Sequence, residues 1–189
     1  MSVVINASTT AGLVMTSDLS GTLSLQSNGV AVTMPAVAGT MMVSGNMPAF
    51  SAYANTSQTV SVNTFTKVTL ANKDFDTNNN FASSRFTPTV AGYYQFNATL
   101  HIEGGTTTTQ FILVIAKNAS TVPRLIDTSP SATLASNTLA SFSASSLIYM
   151  NGSTDYVELY GYYNGGTCTF SGTSTYQYSY LSGSLVRAA

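Results

Sequence analysis

The stretch that decides the fold is FTPTVAGYYQFNATLHI, residues 86–102. After the turn-forming Pro and Gly, polar side chains alternate with an apolar set, namely Tyr94, Phe96, Ala98, Leu100 and Ile102. A period of two places the apolar side chains on one face of a β-strand and the polar ones on the other. The stretch therefore predicts a strand with one face in a core and the other face, which includes His101, outside it.

Strand signals of this kind recur along the whole chain of 189 residues, and no segment has a helical period. From residue 48 onward there are about eight to ten of them, a pattern typical of all-β proteins. Turn sequences join them, such as DTNNN at 76–80, NGS at 151–153 and NGG at 164–166. This spacing predicts two packed antiparallel sheets.

The segment before residue 48 differs from the rest. Its short alternating pieces are too few to bury a core alone, since an isolated hairpin is marginally stable in water. We expect residues 1–47 to be a β-rich attachment segment and residues 48–189 to be the head. The apolar side chains expected to dock this segment on another surface are Leu13, Met15, Leu23, Leu25, Val30, Val32, Met41 and Val43.

Composition excludes several classes of partner. Charged residues make up 7% of the chain and the net charge is -1, so no basic surface is available for nucleic acid. No secretory signal is recognisable at the N-terminus and no apolar run is long enough to span a membrane, so we expect synthesis in a cytoplasm and no membrane insertion. Cys168, the single cysteine, is expected to be a small apolar residue on a strand.

The segment FILVIA at 111–116 is apolar on both faces. A two-sheet sandwich rarely covers the outer side of a strand. The segment must therefore be covered by the N-terminal segment or by neighbouring subunits, and we expect oligomerisation.

Five stretches, taken in order, resemble the C1q-like globular head of the C1q and tumour necrosis factor superfamily. They are PAFSAY at 48–53, FTKVTLANKDFDTNNNFASSRFTPTVAGYYQF at 65–96, FILVIAKN at 111–118, LIYMNGSTDYVELYGY at 147–162 and YSYLSGSLV at 178–186. The sequence departs from the family at Leu181, where Phe is frequent, and no collagen-like tract precedes the head.

The resemblance implies a ten-stranded antiparallel jelly roll that assembles as a homotrimer, with aromatic and aliphatic side chains along the three-fold axis. The residues expected to pack between subunits are Phe111, Leu113, Ile115, Tyr160, Tyr162, Tyr178 and Tyr180. A minority of the late tyrosines could instead contact a glycan, because their rings stack on sugars.

Few residues could carry chemistry. His101 has no acidic or nucleophilic partner indicated by the sequence, so we expect no enzyme. Asp74 and Asp76 lie in KDFDTNNN, whose oxygens suit calcium, and some relatives of this type place calcium at the trimer apex. Asp and Asn are also ordinary turn residues, and we expect a turn and no cofactor.

The N-terminal segment also resembles leader segments found before C1q-like heads in phage structural proteins. This implies a virion protein that assembles in the host cytoplasm and decorates the capsid or forms a head fibre, bound to a capsid or connector protein through residues 1–47. The alternative is a receptor-binding knob that attaches to a host surface, including a surface glycan. The loop residues expected to contact the host are Asp76, Asn78, Asn79, Asn80 and Asn164.

Overall fold

The computed structural model describes residues 47–104, 110–119 and 139–189, residues 42 and 45, and the backbone of residues 23–27 and 30–34. The chain divides into two compact units, residues 1–41 and 42–189. In the first unit, strands β1 (Leu23–Ser27) and β2 (Val30–Met34) form an antiparallel hairpin. Their side chains, and all of Leu13, Met15, Met41 and Val43, lie outside the described residues.

The second unit, called the head below, contains twelve described strands and no described helix. They are β3 (Ala49–Tyr53), β4 (Thr56–Val60), β5 (Thr66–Lys67), β6 (Asn72–Asp76), β7 (Phe81–Ala82), β8 (Arg85–Phe86), β9 (Gly92–Gly104), β10 (Gln110–Lys117), β11 (Leu139–Met150), β12 (Val157–Asn164), β13 (Cys168–Thr173) and β14 (Tyr180–Ala188). The two strands beyond the ten expected are β6, which is rich in polar residues, and the two-residue β7.

The strands form two antiparallel sheets. A five-stranded sheet has the order β10-β12-β8-β7, with β5 also paired to β12. A seven-stranded sheet has the order β4-β13-β9-β14-β3-β6, with β11 paired along the other edge of β9. The prediction of an all-β antiparallel jelly-roll sandwich is confirmed.

Strand β9 organises the seven-stranded sheet, as its alternating sequence predicts. The five apolar side chains of the opening stretch are all buried, and the residues between them are exposed or half-buried. On β14, Gly183 lies opposite Phe96, and a Cβ atom there would come within 2.6 Å of the Phe96 ring. The Ser-Gly pair of the closing strand therefore leaves room for an aromatic side chain in the core.

The core lies between the sheets and corrects one expectation. Phe111, Leu113 and Ile115 are at most 1% exposed and belong to the core cluster of a single head. The Phe111 ring stacks on that of Phe142 from the other sheet, with centroids 4.1 Å apart. These three side chains have no exposed surface with which to contact another subunit. Their alternation in the sequence correctly indicated burial, but the expectation that they pack between subunits is wrong.

The start of the head lies earlier than residue 48. Met42 packs against the core cluster, and the Gly45 carbonyl accepts a hydrogen bond from Asn78 Nδ2 at 3.0 Å. Both residues precede the boundary that the sequence suggested. A fragment meant to keep the head intact should therefore begin at residue 42.

Candidate functional site

The outward side of the seven-stranded sheet is called the open face below. Its centre is a ladder of small polar side chains from β9 and β11. Gln95 Nε2 donates to Ser145 Oγ at 2.8 Å, Ser145 Oγ donates to Asn97 Oδ1 at 2.9 Å, and the hydroxyls of Thr99 and Ser143 lie 3.0 Å apart. These bonds follow from register, since paired residues on antiparallel strands share a face.

One end of the open face is apolar and exposed. Tyr93 and Tyr149 face each other in the register of β9 and β11, with ring centroids 5.4 Å apart. Both are 43% exposed, and Leu147 beside them is 56% exposed. Large apolar side chains grouped on an exposed sheet are typical of an interaction surface, where Tyr in particular is enriched.

His101 lies at the other end of the open face. Its Nδ1 is 2.8 Å from Ser141 Oγ, and its ring stacks on that of Tyr178 with centroids 5.0 Å apart. Tyr178 stacks in turn on Tyr176 at 5.5 Å. The Ser141 contact could not be predicted from local sequence, because the two residues are 40 positions apart. Within the described residues, no carboxylate bonds to the His101 ring as the third member of a catalytic triad would.

The four tyrosines expected to pack between subunits do not form one surface. Tyr178 and Tyr180 lie on the open face, where Tyr180 pairs with Thr99. Tyr160 and Tyr162 lie on the outward side of the five-stranded sheet, opposite the buried Tyr163 and Leu159. A single three-fold axis along one sheet could therefore include only one of these pairs.

The outward side of the five-stranded sheet contains a buried carboxylate. Glu158 is 1% exposed, and its Oε1 accepts from Lys67 Nζ at 2.8 Å and Arg85 Nε at 2.9 Å. Tyr160 donates its hydroxyl to Oε2 at 2.9 Å. Burial alone would raise the pKa of Glu158, but the hydrogen bonds from Lys67, Arg85 and Tyr160 together outweigh it and lower the pKa. Burial and the Glu158 carboxylate raise the pKa of Tyr160 to about 12.

The loop expected to be either a turn or a calcium site is held by Asp76. Its side chain is 4% exposed, and its oxygens accept from Asn80 N and Phe81 N, both at 2.9 Å, and from Lys73 Nζ at 3.1 Å. Asp74 has different partners, Ser51 Oγ at 2.9 Å and Gln177 Nε2 at 2.7 Å. A lysine and two backbone N–H groups already bond to the Asp76 oxygens, and Ser51 and Gln177 bond to those of Asp74, so this arrangement does not suit a shared calcium ion.

The remaining loop residues differ in accessibility. Asn79 is exposed and Asn78 and Asn164 are half-buried, whereas Asn80 is buried at 8% exposure. Asp76 and Asn80 therefore hold the loop from inside, and neither presents its side chain to a large partner. The expectation that both would contact a host surface is corrected accordingly.

Other candidate reactive groups are few in the described part of the chain. Cys168 is fully buried, and burial raises its pKa to about 12. No cluster of three His, Cys, Asp or Glu side chains there could hold a metal ion. No helix in the same residues is long and apolar enough to cross a membrane.

Comparison with known proteins identifies the class of fold. No family model and no curated protein matches the sequence. The structure, however, is similar to tumour necrosis factor (TNF)-like jelly rolls. It matches murine APRIL at pH 8.0 with a TM-score of 0.50 and 10% identity, over 74% of this chain and 99% of that one. It matches Eiger TNF from S. frugiperda with a TM-score of 0.55 and 9% identity, over 76% of this chain and 95% of that one. At such identities the likeness establishes the fold.

Proposed function

We propose that the chain forms a homotrimeric, non-enzymatic surface protein of a phage virion that decorates the capsid or forms a head fibre. The observation that carries the proposal is the open face, where Tyr93, Leu147 and Tyr149 expose apolar surface on a TNF-like jelly roll. Burying these side chains against two further copies of the head removes that surface from water. The subunit contact thus lies on the open face.

The virion role has separate support in the N-terminal segment. Its sequence resembles phage leader segments, and the part of it that the structure describes is one hairpin, β1 and β2. A two-stranded hairpin is marginally stable alone. In the proposed role, residues 1–41 dock on a capsid or connector protein and the head projects from the particle.

The absence of catalysis is supported by the groups that would have to perform it. The pair formed by His101 and Ser141 has no acidic residue to orient the imidazole among the described residues. Cys168 is buried and its raised pKa keeps the thiol protonated near neutral pH. Neither group is therefore prepared for nucleophilic attack.

The test uses the full chain and a fragment of residues 42–189. Light scattering should give three times the chain mass of 19.8 kDa for the full chain, and a trimeric mass for the fragment. The full chain should bind parent particles stripped of this protein, and the fragment should not. A monodisperse monomer at micromolar concentration contradicts the trimer, and particle binding by the fragment contradicts docking through the N-terminal segment.

The alternative is a receptor-binding knob, favoured by the exposed loop residue Asn79 and its half-buried neighbour Asn78. In this role recognition resides in the head. The purified fragment should then bind host cells and compete with phage adsorption. Strong competition would contradict a purely decorative role, whereas loss of particle binding without competition would support that role.

A further inference from the structure

A cavity of about 530 Å³ opens on the head beside the Glu158 cluster. Four segments meet there, namely β5, the turn after β6, the hairpin between β7 and β8, and the residues that follow β8. Its volume lies within the range of small-molecule sites. The lining residues are mostly polar, and those used below are Lys67, Asn79, Asn80, Arg85, Thr87 and Thr89.

The cavity has a positive charge that is fixed in position. Lys67 and Arg85 both line it and share the single carboxylate of Glu158, so two positive charges face one negative charge. Their side chains are 34% and 43% exposed, so solvent and solutes can reach them. The Arg85 guanidinium lies 3.8 Å above the centre of the Tyr156 ring, which holds it in place.

Arg85 also retains donors for a ligand. Its Nε–H is directed to Glu158, and no described residue accepts from its two Nη groups. A guanidinium presents these groups in a planar fork that matches a carboxylate. Lys67 donates to Glu158 and to the Ser83 carbonyl at 2.8 Å, which leaves one ammonium proton.

Asn80 forms part of the cavity wall but offers no ligand contact. It is 8% exposed, and its Nδ2 donates to the Asn78 carbonyl at 3.2 Å. Its Oδ1 is buried and has no partner among the described residues. Because solvent does not reach this oxygen, a hydroxyl group of a ligand does not reach it either.

We propose that this cavity binds a carboxylated sugar, such as a hexuronic acid residue of an acidic glycan. The sugar carboxylate pairs with Arg85 and Lys67, and the sugar hydroxyls bond to Thr87 and Thr89, which also line the cavity. The two cations carry one charge more than Glu158 neutralises, so one ligand carboxylate completes the charge pairing in the cavity. The inference deepens the alternative function and rests on it for its biological role, but the site itself rests on the cavity.

In the experiment, the full chain is titrated with glucuronate, glucose and inorganic sulfate. NMR saturation transfer and calorimetry measure the binding of each. Glucuronate should bind, glucose should bind at least about tenfold more weakly because it lacks the charge-assisted bond, and sulfate should not displace glucuronate at equal concentration. If sulfate binds as well as glucuronate, the cavity is an inorganic anion site and the sugar assignment is wrong. If none of the three ligands binds at concentrations of about 10 mM, at which even weak sugar sites are occupied, the cavity is not a binding site.

Three variants locate the binding. Arg85→Gln removes the fork and Asn79→Asp adds a negative charge at an exposed lining position, and each should weaken glucuronate binding by about tenfold or more. The control Arg187→Gln removes one exposed positive charge outside the cavity and should leave binding unchanged. Asn79→Asp keeps the Glu158 cluster intact, so it tests the site even if Arg85→Gln does not fold. Unchanged binding in Asn79→Asp, or equal weakening in Arg187→Gln, overturns the location.

The outcome is separable from that of the proposed function. Oligomeric state and particle binding are measured on the same preparations by light scattering and co-sedimentation. A trimer that binds particles but not glucuronate contradicts only the sugar site. A preparation that binds glucuronate but not particles contradicts only the decorative role.

Discussion

Phe50 and Phe86 stack face to face across the two sheets, with ring centroids 4.3 Å apart and an interplanar angle of 15°. Phe50 belongs to β3 in the seven-stranded sheet and Phe86 to β8 in the five-stranded sheet. Both also contact Phe96 on β9, at 6.3 and 5.9 Å. The short strand β8 is thus packed against the seven-stranded sheet through aromatic rings.

Phe86→Ala should therefore destabilise the head by about 3–5 kcal/mol, as expected for removal of a buried aromatic ring. The matched control is Phe75→Ala, at a residue that is 49% exposed. Thermal unfolding followed by circular dichroism at one fixed protein concentration measures both. A loss for Phe86→Ala no larger than for the control would show that the stack does not hold the sheets together.

The alternation in residues 86–102 predicted strand β9 and its buried face correctly, because period two is a property of a single strand. The same reasoning predicted that both sides of FILVIA are buried, and Val114 and Ala116 are fully buried, whereas Ile112 is half-buried. It could not say what covers each side. Phe111 was assigned to a subunit contact because a sequence shows that a side chain avoids water, but not which neighbour it meets.

The residue pairs that define the candidate sites could not be predicted from local sequence patterns. Glu158 bonds to Lys67 and Arg85, which are 91 and 73 positions away in the chain. Such contacts are set by the order of strands in the sheet, here β5 and β8 on the same side of β12. Loop residues were recognised correctly as a turn, yet Asn80 was expected at the surface because turn residues usually are.

The open face predicts the effect of a charge on assembly. Leu147→Glu should convert the trimer to monomers at micromolar concentration, because a carboxylate cannot be buried without a partner in a subunit contact. The fold should persist, since Leu147 is 56% exposed in a single head. Size-exclusion chromatography with light scattering measures the mass, and circular dichroism checks the strands.

A control for this prediction is Val62→Glu, which places the same charge at another exposed apolar residue, in the loop after β4. This variant should remain trimeric. If Leu147→Glu also stays trimeric, the contact does not lie on that part of the open face. If both variants dissociate, the charge acts through overall repulsion.

The Glu158 cluster predicts how the stability of the head depends on pH. The pKa of Glu158 in the folded protein lies below its ordinary value of 4.5, so the unfolded state binds a proton first as pH falls. The stabilisation is fully present above pH 4.5 and is lost as pH falls from there through the folded pKa. Asp155, whose pKa is also lowered by Lys117 and Asn118 against the opposing effect of burial, adds a second contribution in the same direction.

Glu158→Gln should make the free energy of unfolding depend less on pH. At neutral pH the variant should lose about 1–3 kcal/mol, because Lys67, Arg85 and Tyr160 lose their shared acceptor charge. Below pH 4 its difference from the wild type should shrink. Melting temperatures measured from pH 7 to pH 3 test this, and a difference that is constant across the range would show that Glu158 has the same pKa in both states.

The last prediction concerns Asp76, whose carboxylate closes the loop at residues 76–80. Asp76→Asn should destabilise the head by about 1–2 kcal/mol, because the amide can accept through only one oxygen and loses the charge paired with Lys73. A calcium site would give a different pattern, in which a chelator lowers the melting temperature of the wild type and has no effect on the variant. We expect no effect of chelator on either protein, since a turn held by hydrogen bonds to Asp76 needs no ion. The variant should melt at a lower temperature than the wild type with or without chelator. Asp74→Asn, at an exposed carboxylate whose partners among the described residues are Ser51 and Gln177, is the matched control and should cost less stability than Asp76→Asn.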